Sequence, residues 1–335
     1  MTARYDVDRP ANQGYSVAVS LSVTEPFRHA VERTREVLLP FQLNKWLVVG
    51  FAYFLASLGE GGGSQLNLPN PSGGSGSGSG GAIPSWLKEA TGWIEAHLGT
   101  AIALGAVGML LVTAIGYLIL WVSCRGKFVF LDNIAADRAA ITEPWHRFRV
   151  QGNSLLWTKF LLGLLGSCAV LISLGVLVAV AWADLSAERF TSPLVIVGGV
   201  SWGMLTMLIL LCLGIINWLL DDFAVIAMYR DQDRSWPALR RVVRQLVRPH
   251  LGSLLLFGVM KLLLGVAIGL CVTMLTCLTC CIAGLPYVSS VVFLPFGVFM
   301  RCYSIFFVEQ IGDEWTVIQP RPPEPPEAFE RWAGA

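Results

Sequence analysis

Five apolar runs recur along the chain, at Leu98–Cys124, Ser154–Ala183, Leu194–Leu220, Leu251–Thr276 and Tyr287–Val308. Each offers about the 20 residues that a helix needs to cross the hydrocarbon of a bilayer. A sixth run, Trp46–Leu58, is shorter. It reaches spanning length when Val37–Lys45 continues its helix, with Pro40 as a kink and the Lys45 ammonium turned back towards the headgroups. The pattern predicts an all-α integral membrane protein with six transmembrane helices.

A second pattern lies just upstream of the runs. TEPF at Thr24–Phe27 returns as TEPW at Thr142–Trp145, and SWPALRR at Ser235–Arg241 keeps a hydroxyl, an aromatic and a proline in the same setting. Thr24 is placed to cap a helix whose first turn holds Glu25 and Pro26, where a missing donor costs nothing and a carboxylate meets the positive helix end. Phe27, Ala30, Val31, Val37 and Leu38 fall on one face, and Arg28, His29, Glu32, Arg33, Arg35 and Glu36 on the other. In the third phrase Ser235 takes the capping place. Leu239, Val242, Val243, Leu246 and Val247 form a stripe opposite Arg240, Arg241, Arg244 and Arg248. The middle phrase is less regular, with Trp145, Phe148 and Leu155 apolar and Gly152 weakening the helix.

Each phrase precedes two apolar runs, so the chain reads as three repeats of an amphipathic surface helix followed by a transmembrane hairpin. The divisions are a polar segment 1–22, repeats 23–124, 125–220 and 221–312, and a proline-rich tail 313–335. The second span of each repeat exits through related words, CRGKFVFLD, DDFAVIAMY and RCYSIFFVE. A Gly/Ser-rich linker, 69–81, interrupts the first hairpin and cannot bury a core. After it, Trp86 and Trp93 suit headgroup level on the outer surface.

Composition agrees, with 54% hydrophobic and 14% charged residues. The N-terminal segment lacks the ordered regions of a cleavable signal peptide, so the first span is expected to remain. Lys and Arg gather before the first run, between the second and third and between the fourth and fifth, while the alternate connections hold Lys88, Arg189 or no charge. By the positive-inside rule both termini are cytoplasmic, in a cell inner membrane. The surface arginines Arg28, Arg33, Arg35, Arg240, Arg241, Arg244 and Arg248 then meet anionic lipid head groups rather than nucleic acid. The tail is suited to a polyproline-binding partner or to plain solvation.

The sharpest chemical anomaly is charge within apolar runs. Lys261 and Arg301 lie inside the fifth and sixth runs, and no Asp or Glu occurs from Leu251 to Val308. Asp221 and Asp222, followed by apolar FAVIAMY, are their nearest candidate partners. Three readings stay open: the cations snorkel while the aspartates end the fourth span, the four form a structural salt bridge, or they form a binding or transport site. The cysteines Cys277, Cys280 and Cys281 share one helix face, but no histidine or carboxylate nearby completes a metal set, so packing, a disulfide and a metal compete there. Cys124, Cys168, Cys212 and Cys302 read as packing. The four histidines are scattered, GEGGGS lacks the Lys of a phosphate loop, and no cofactor is implied.

The three surface phrases, the LLDDFAVIAMY exit and the FMRCYSIFFVEQIG ending give the chain a resemblance over residues 20–312. It resembles a loosely defined set of uncharacterised bacterial multi-pass proteins related to the membrane domain found ahead of some glycerophosphodiester phosphodiesterases. The resemblance implies a helical membrane fold in a bacterial inner membrane and, without the catalytic barrel, no activity. The expected role is a non-enzymatic membrane scaffold or accessory protein. The alternative is a small-solute or lipid transporter with a path near Asp222, Lys261 and Arg301, and the third reading is a membrane enzyme using the Cys277–Cys281 cluster. A transporter places the three charges around a water-accessible cavity, whereas a scaffold packs that centre solid.

Overall fold

A computed structural model describes residues 21–59, 97–186, 193–278 and 285–318. The Gly/Ser linker, Trp86, Trp93, Cys280, Cys281 and most of the proline-rich tail lie outside them. The described residues are predominantly helical, with no strand among them. In order they form α1 (Glu25–Leu38), α2 (Leu43–Ser57), α3 (Leu98–Ala135), α4 (Thr142–Arg147), α5 (Arg149–Ser186) and α6 (Pro193–Leu219). A π turn, Leu220–Ala224, runs into α7 (Val225–Asp231), and α8 (Ser235–Val242) runs through a second π turn, Val243–Val247, towards α9 (Leu251–Leu278). Helices α10 (Pro286–Val292) and α11 (Leu294–Glu309) complete the set.

Four stretches are long and apolar enough to cross a membrane: Ile102–Ala135, Arg149–Ala179, Gly198–Asp231 and Leu251–Leu278. Two of the expected spans are interrupted. Leu39 is extended, with φ −115° and ψ 142°, so α1 does not continue through Pro40 into α2. The cause is local, because a proline crowds the residue before it out of the helical region. The last apolar run breaks at Phe293, since Pro295 has no N–H to give Val291 and its ring crowds that carbonyl. The sequence divisions at 124 and 220 fall inside continuous helix: Arg125 and Lys127, expected in a connection, belong to α3.

The expected caps also differ. Thr24 makes no capping bond; Ser22 Oγ accepts the Glu25 N–H at 3.2 Å instead. Ser235 is the first residue of α8, and its hydroxyl turns to α5, 2.5 Å from Thr158 Oγ1 and 3.1 Å from the Ser154 carbonyl. A buried hydroxyl takes the nearest partner on the neighbouring helix, and here that is not its own first turn. Thr142 likewise starts α4 without a capping bond.

The buried core sits at one end of the bundle, called here the basic end. Phe128, Phe148, Phe223, Phe257, Tyr303 and Phe307 are all 2% exposed or less. The far halves of α3, α5, α6 and α9 instead show exposed apolar side chains such as Leu110, Leu171, Met207 and Leu270, as a surface facing lipid does. Close approach of α2 and α3 depends on Gly126, where an added Cβ would lie 2.7 Å from the backbone of Leu55 and Ala56. Arg33, expected on the polar face of α1, is buried. Its Nη2 donates to the carbonyls of Ile134 and Ala135 at 3.0 and 3.3 Å, and its Nη1 to Glu36 at 3.0 Å. A cation at the carbonyl end of α3 meets the negative end of that helix. Beyond the end of α3, Arg138 donates to Asp132 at 2.7 Å, which holds the guanidinium above its ordinary range, and Tyr229 donates to the same carboxyl at 3.0 Å.

Candidate functional site

The two neighbouring aspartates serve two sides of the bundle, because successive helical residues point about 100° apart. Asp221 faces α3 and α5, accepting Lys127 Nζ at 2.5 Å and Lys159 Nζ at 2.6 and 2.7 Å. Asp222 faces α9 and α11, accepting Lys261 Nζ at 2.5 Å, while that ammonium also donates to Ser304 Oγ at 2.8 Å. The π turn adds a third contact. In an α-helix the Val225 N–H would bond to Asp221; here it bonds to Leu220, and Arg301 Nη1 donates to the Asp221 carbonyl at 2.7 Å. A turn of this kind re-aims one carbonyl out of the ladder. Four helices, α3, α5, α9 and α11, are therefore tied to two adjacent residues.

These groups lie within the bundle. Lys261 is ten residues along α9 from Leu251 and Lys159 ten along α5 from Arg149, roughly 15 Å in each case at the helical rise. Lys127 and Lys159 side chains are 4% and 5% exposed, so neither snorkels to an interface. Nor do Lys261 and Arg301, which turn to the aspartate pair.

A cavity of about 660 Å³ opens beside the pair. Lys127, Lys261, Arg301, Asp221 and Asp222 line it on the charged side, with Trp218, Ile268, Phe296 and Met300 among its apolar walls. The apolar lining from α6, α9 and α11 lies on the far-end side of the charges: Ile268 is seven residues beyond Lys261, roughly 10 Å. On the basic-end side of the charges lies a cluster of packed rings. Phe257 lies 4.2 Å from Phe307, 4.9 Å from Tyr303 and 5.5 Å from Phe223, centre to centre. The site is thus a charged floor on an aromatic layer, with apolar walls above.

A family of unknown function, DUF7544, matches residues 21–300. The chain belongs to that family. No curated protein and no solved structure matches it. Nothing in the family match links the chain to the phosphodiesterase membrane domain.

Of the residues singled out in sequence, Asp221, Asp222, Lys261 and Arg301 come together. Lys127 and Lys159 complete the cluster and were missed. Lys127 follows Arg125 and Gly126, so along the chain it reads as one of the charges of a connection. Lys159 lies inside the apolar run Ser154–Ala183, so the rule that picked out Lys261 selects it too.

The other candidates do not converge there. Trp236 is 56% exposed beneath the Arg240 guanidinium, which lies 5.1 Å from its ring centre, and Arg244 and Arg248 continue that surface. Arg241 is turned aside to Asp231 and Asp233. Arg28 and Arg35 are exposed, Arg28 lying 3.7 Å from Glu32. Among the described residues no group of His, Cys, Asp and Glu suits a metal. Cys277 is exposed, and its expected neighbours Cys280 and Cys281 lie outside the described residues. Cys124 and Cys302 are buried, but Cys168 and Cys212, read as packing, are exposed on lipid-facing surface.

Proposed function

We propose that the chain is a small-solute or lipid transporter whose path runs through the cavity beside Asp222, Lys261 and Arg301. The observation that carries this reading is the cavity itself, lined by all three charges where a scaffold would be packed solid. Ionisable groups held at depth around open space mark substrate paths more often than simple packing. The interrupted helix α10–α11 supports it, because its second half supplies Phe296, Gly297, Met300 and Arg301 to the cavity, and transporters build their sites from broken helices.

In this reading α2 and α10–α11 join the four long stretches as six spans, arranged as three repeats of a surface helix and a hairpin. The basic end faces the cytoplasm of a bacterial cell, as the distribution of Lys and Arg suggests. The aromatic layer of Phe223, Phe257, Tyr303 and Phe307 is then the inner gate, and it must part for a solute to leave inwards. A scaffold reading is favoured by the basic and aromatic surface of Trp236, Arg240, Arg244 and Arg248, which suits anionic lipid head groups.

Thiol labelling separates the two. In a cysteine-free background Asn217→Cys and Met300→Cys, both in the cavity wall, should react with a membrane-impermeant reagent from at least one side. Leu208→Cys, 56% exposed on a lipid-facing surface, should stay unreactive. Transport through this cavity is excluded when both wall positions are sealed from both sides.

A further inference from the structure

The arginines of α8 and of the turn that follows it are not alike. Arg241 is engaged by Asp231 and Asp233, whereas Arg240, Arg244 and Arg248 are exposed and form no ion pair among the described residues. With Trp236 they stand four residues apart, and on a helical surface that spacing makes one ridge. The Arg240 guanidinium lies 5.1 Å from the Trp236 ring centre. Like charges at this spacing disfavour one another, so an anion seated among them is stabilising.

The ridge has a hollow on each side, and the two differ in character. One, of about 220 Å³, is lined by Arg240, Arg244 and Arg248 together with Leu239 and Val243, which lie one place before the ridge residues. The other, of about 360 Å³, takes Pro237, Arg241 and Gln245, one place after them, so it opens on the opposite side of the helix. The first hollow is cationic with apolar side chains beside it. Acid borders the second: Asp231 and Asp233 hold its Arg241, and Glu314 accepts Gln245 Nε2 at 3.1 Å. Gln245 Oε1 is left buried without a hydrogen-bond partner. A phosphate suits the first hollow, while an anion in the second would face those three carboxylates. What the second hollow offers is an unused acceptor, and an acceptor calls for a hydroxyl or another uncharged donor.

The ridge also stands where charge gives way to lipid-facing surface. Leu251 follows Arg248 by three residues, and from there α9 exposes Leu251, Leu255, Val259 and Leu262. Acyl chains have an apolar surface to lie on beside the arginines.

From this two-sided ridge we infer that it binds a phosphodiester lipid with an uncharged, hydroxylated headgroup, of the phosphatidylglycerol type. The phosphate lies among Arg240, Arg244 and Arg248, the headgroup hydroxyls cross the ridge to Gln245, and the chains run along Leu251 and Leu255. Positive surface alone would take any anionic lipid, whereas this site reads the headgroup as well as the charge. The inference stands apart from the transport reading, because the site lies outside the cavity.

The test uses the full chain in neutral detergent, with bound lipid counted by native mass spectrometry as each lipid is added. One phosphatidylglycerol per chain should bind at least tenfold more tightly than phosphatidylcholine. It should also bind several-fold more tightly than phosphatidylethanol, which has the same charge and no hydroxyl. Arg244→Gln, at an exposed position, should weaken phosphatidylglycerol at least tenfold, and Arg35→Gln, an equal loss of charge on α1, less than twofold. Gln245→Leu should abolish the preference for phosphatidylglycerol and leave phosphatidylethanol binding unchanged. Equal binding of the two anionic lipids to the wild type would show a surface that reads charge alone. An equal loss in Arg35→Gln and Arg244→Gln would show that no particular arginines form a site, and undiminished binding to Arg244→Gln would place the lipid elsewhere. Any of these three results overturns the inference and leaves the labelling test of the cavity untouched.

Discussion

Asp221→Asn is expected to lower the stability of the purified protein by about 3–5 kcal/mol, the usual cost of removing one partner from a buried charge pair. The substitution keeps the shape of the side chain and removes the charge that both Lys127 and Lys159 contact. Those two ammoniums are almost fully buried, and without the carboxylate they repel each other across a medium that screens little. Pairing Asp221→Asn with Lys159→Met should recover a large part of the loss, because one cation then leaves together with the anion. Thermal unfolding in detergent, followed by loss of monodisperse elution, measures both variants. If Asp221→Asn alone unfolds at the wild-type midpoint, the carboxylate does not hold the two lysines.

The second large effect is expected on the other side of the pair. Asp222→Lys sets a new ammonium against Lys261 and close to Arg301, and Lys261→Asp sets three carboxylates together, so each single reversal should abolish stable expression. The exchange Asp222→Lys with Lys261→Asp restores opposite charges across the same gap, and it should return part of the expressed, folded protein. The recovery is partial, because Ser304 Oγ, 2.8 Å from the Lys261 ammonium, is placed for a long side chain from α9. Expression and elution of the four proteins form a double-mutant cycle. No recovery in the exchange would mean that the two residues do not act as a pair.

Much of this arrangement was legible along the chain, and what was not has identifiable causes. The long apolar runs gave the four helices that cross a bilayer by length, because spanning depends on run length, which a sequence carries directly. Pro40 and Pro295 were both visible, yet only the fold shows that each ends a helix rather than bending it. The caps failed for a different reason. Ser235 has a capping residue's position and chemistry, but the hydroxyls of Ser154 and Thr158 on α5 compete for it, and such competition is tertiary. Arg33 left its expected polar face because the end of α3 presents two carbonyls to it.

At the site, a charge in an apolar run is an exception that a sequence displays, so Lys261 and Arg301 stood out. Lys159 obeys the same rule, but near the edge of its run, where a lysine also reads as an interfacial residue. Lys127 could not have been found that way, since Arg125 beside it made the whole segment look like a polar connection. The π turn that frees the Asp221 carbonyl for Arg301 leaves no mark in LLDDFAV that separates it from ordinary helix.

The central claim is that a small solute or lipid moves through the cavity above the aspartate pair, which Gly265 lines from α9, and movement is the quantity to measure. Liposomes containing the full chain and a trace of fluorescent lysophosphatidate are treated with an impermeant quencher of the outer leaflet. In protein-free vesicles, quenching should stop near the outer-leaflet share. With the wild type it should run on towards completion, and with Gly265→Phe it should stop again at the protein-free level. Quenching by the wild type that stops where protein-free vesicles stop, or that Gly265→Phe leaves unchanged, would contradict a path through this cavity.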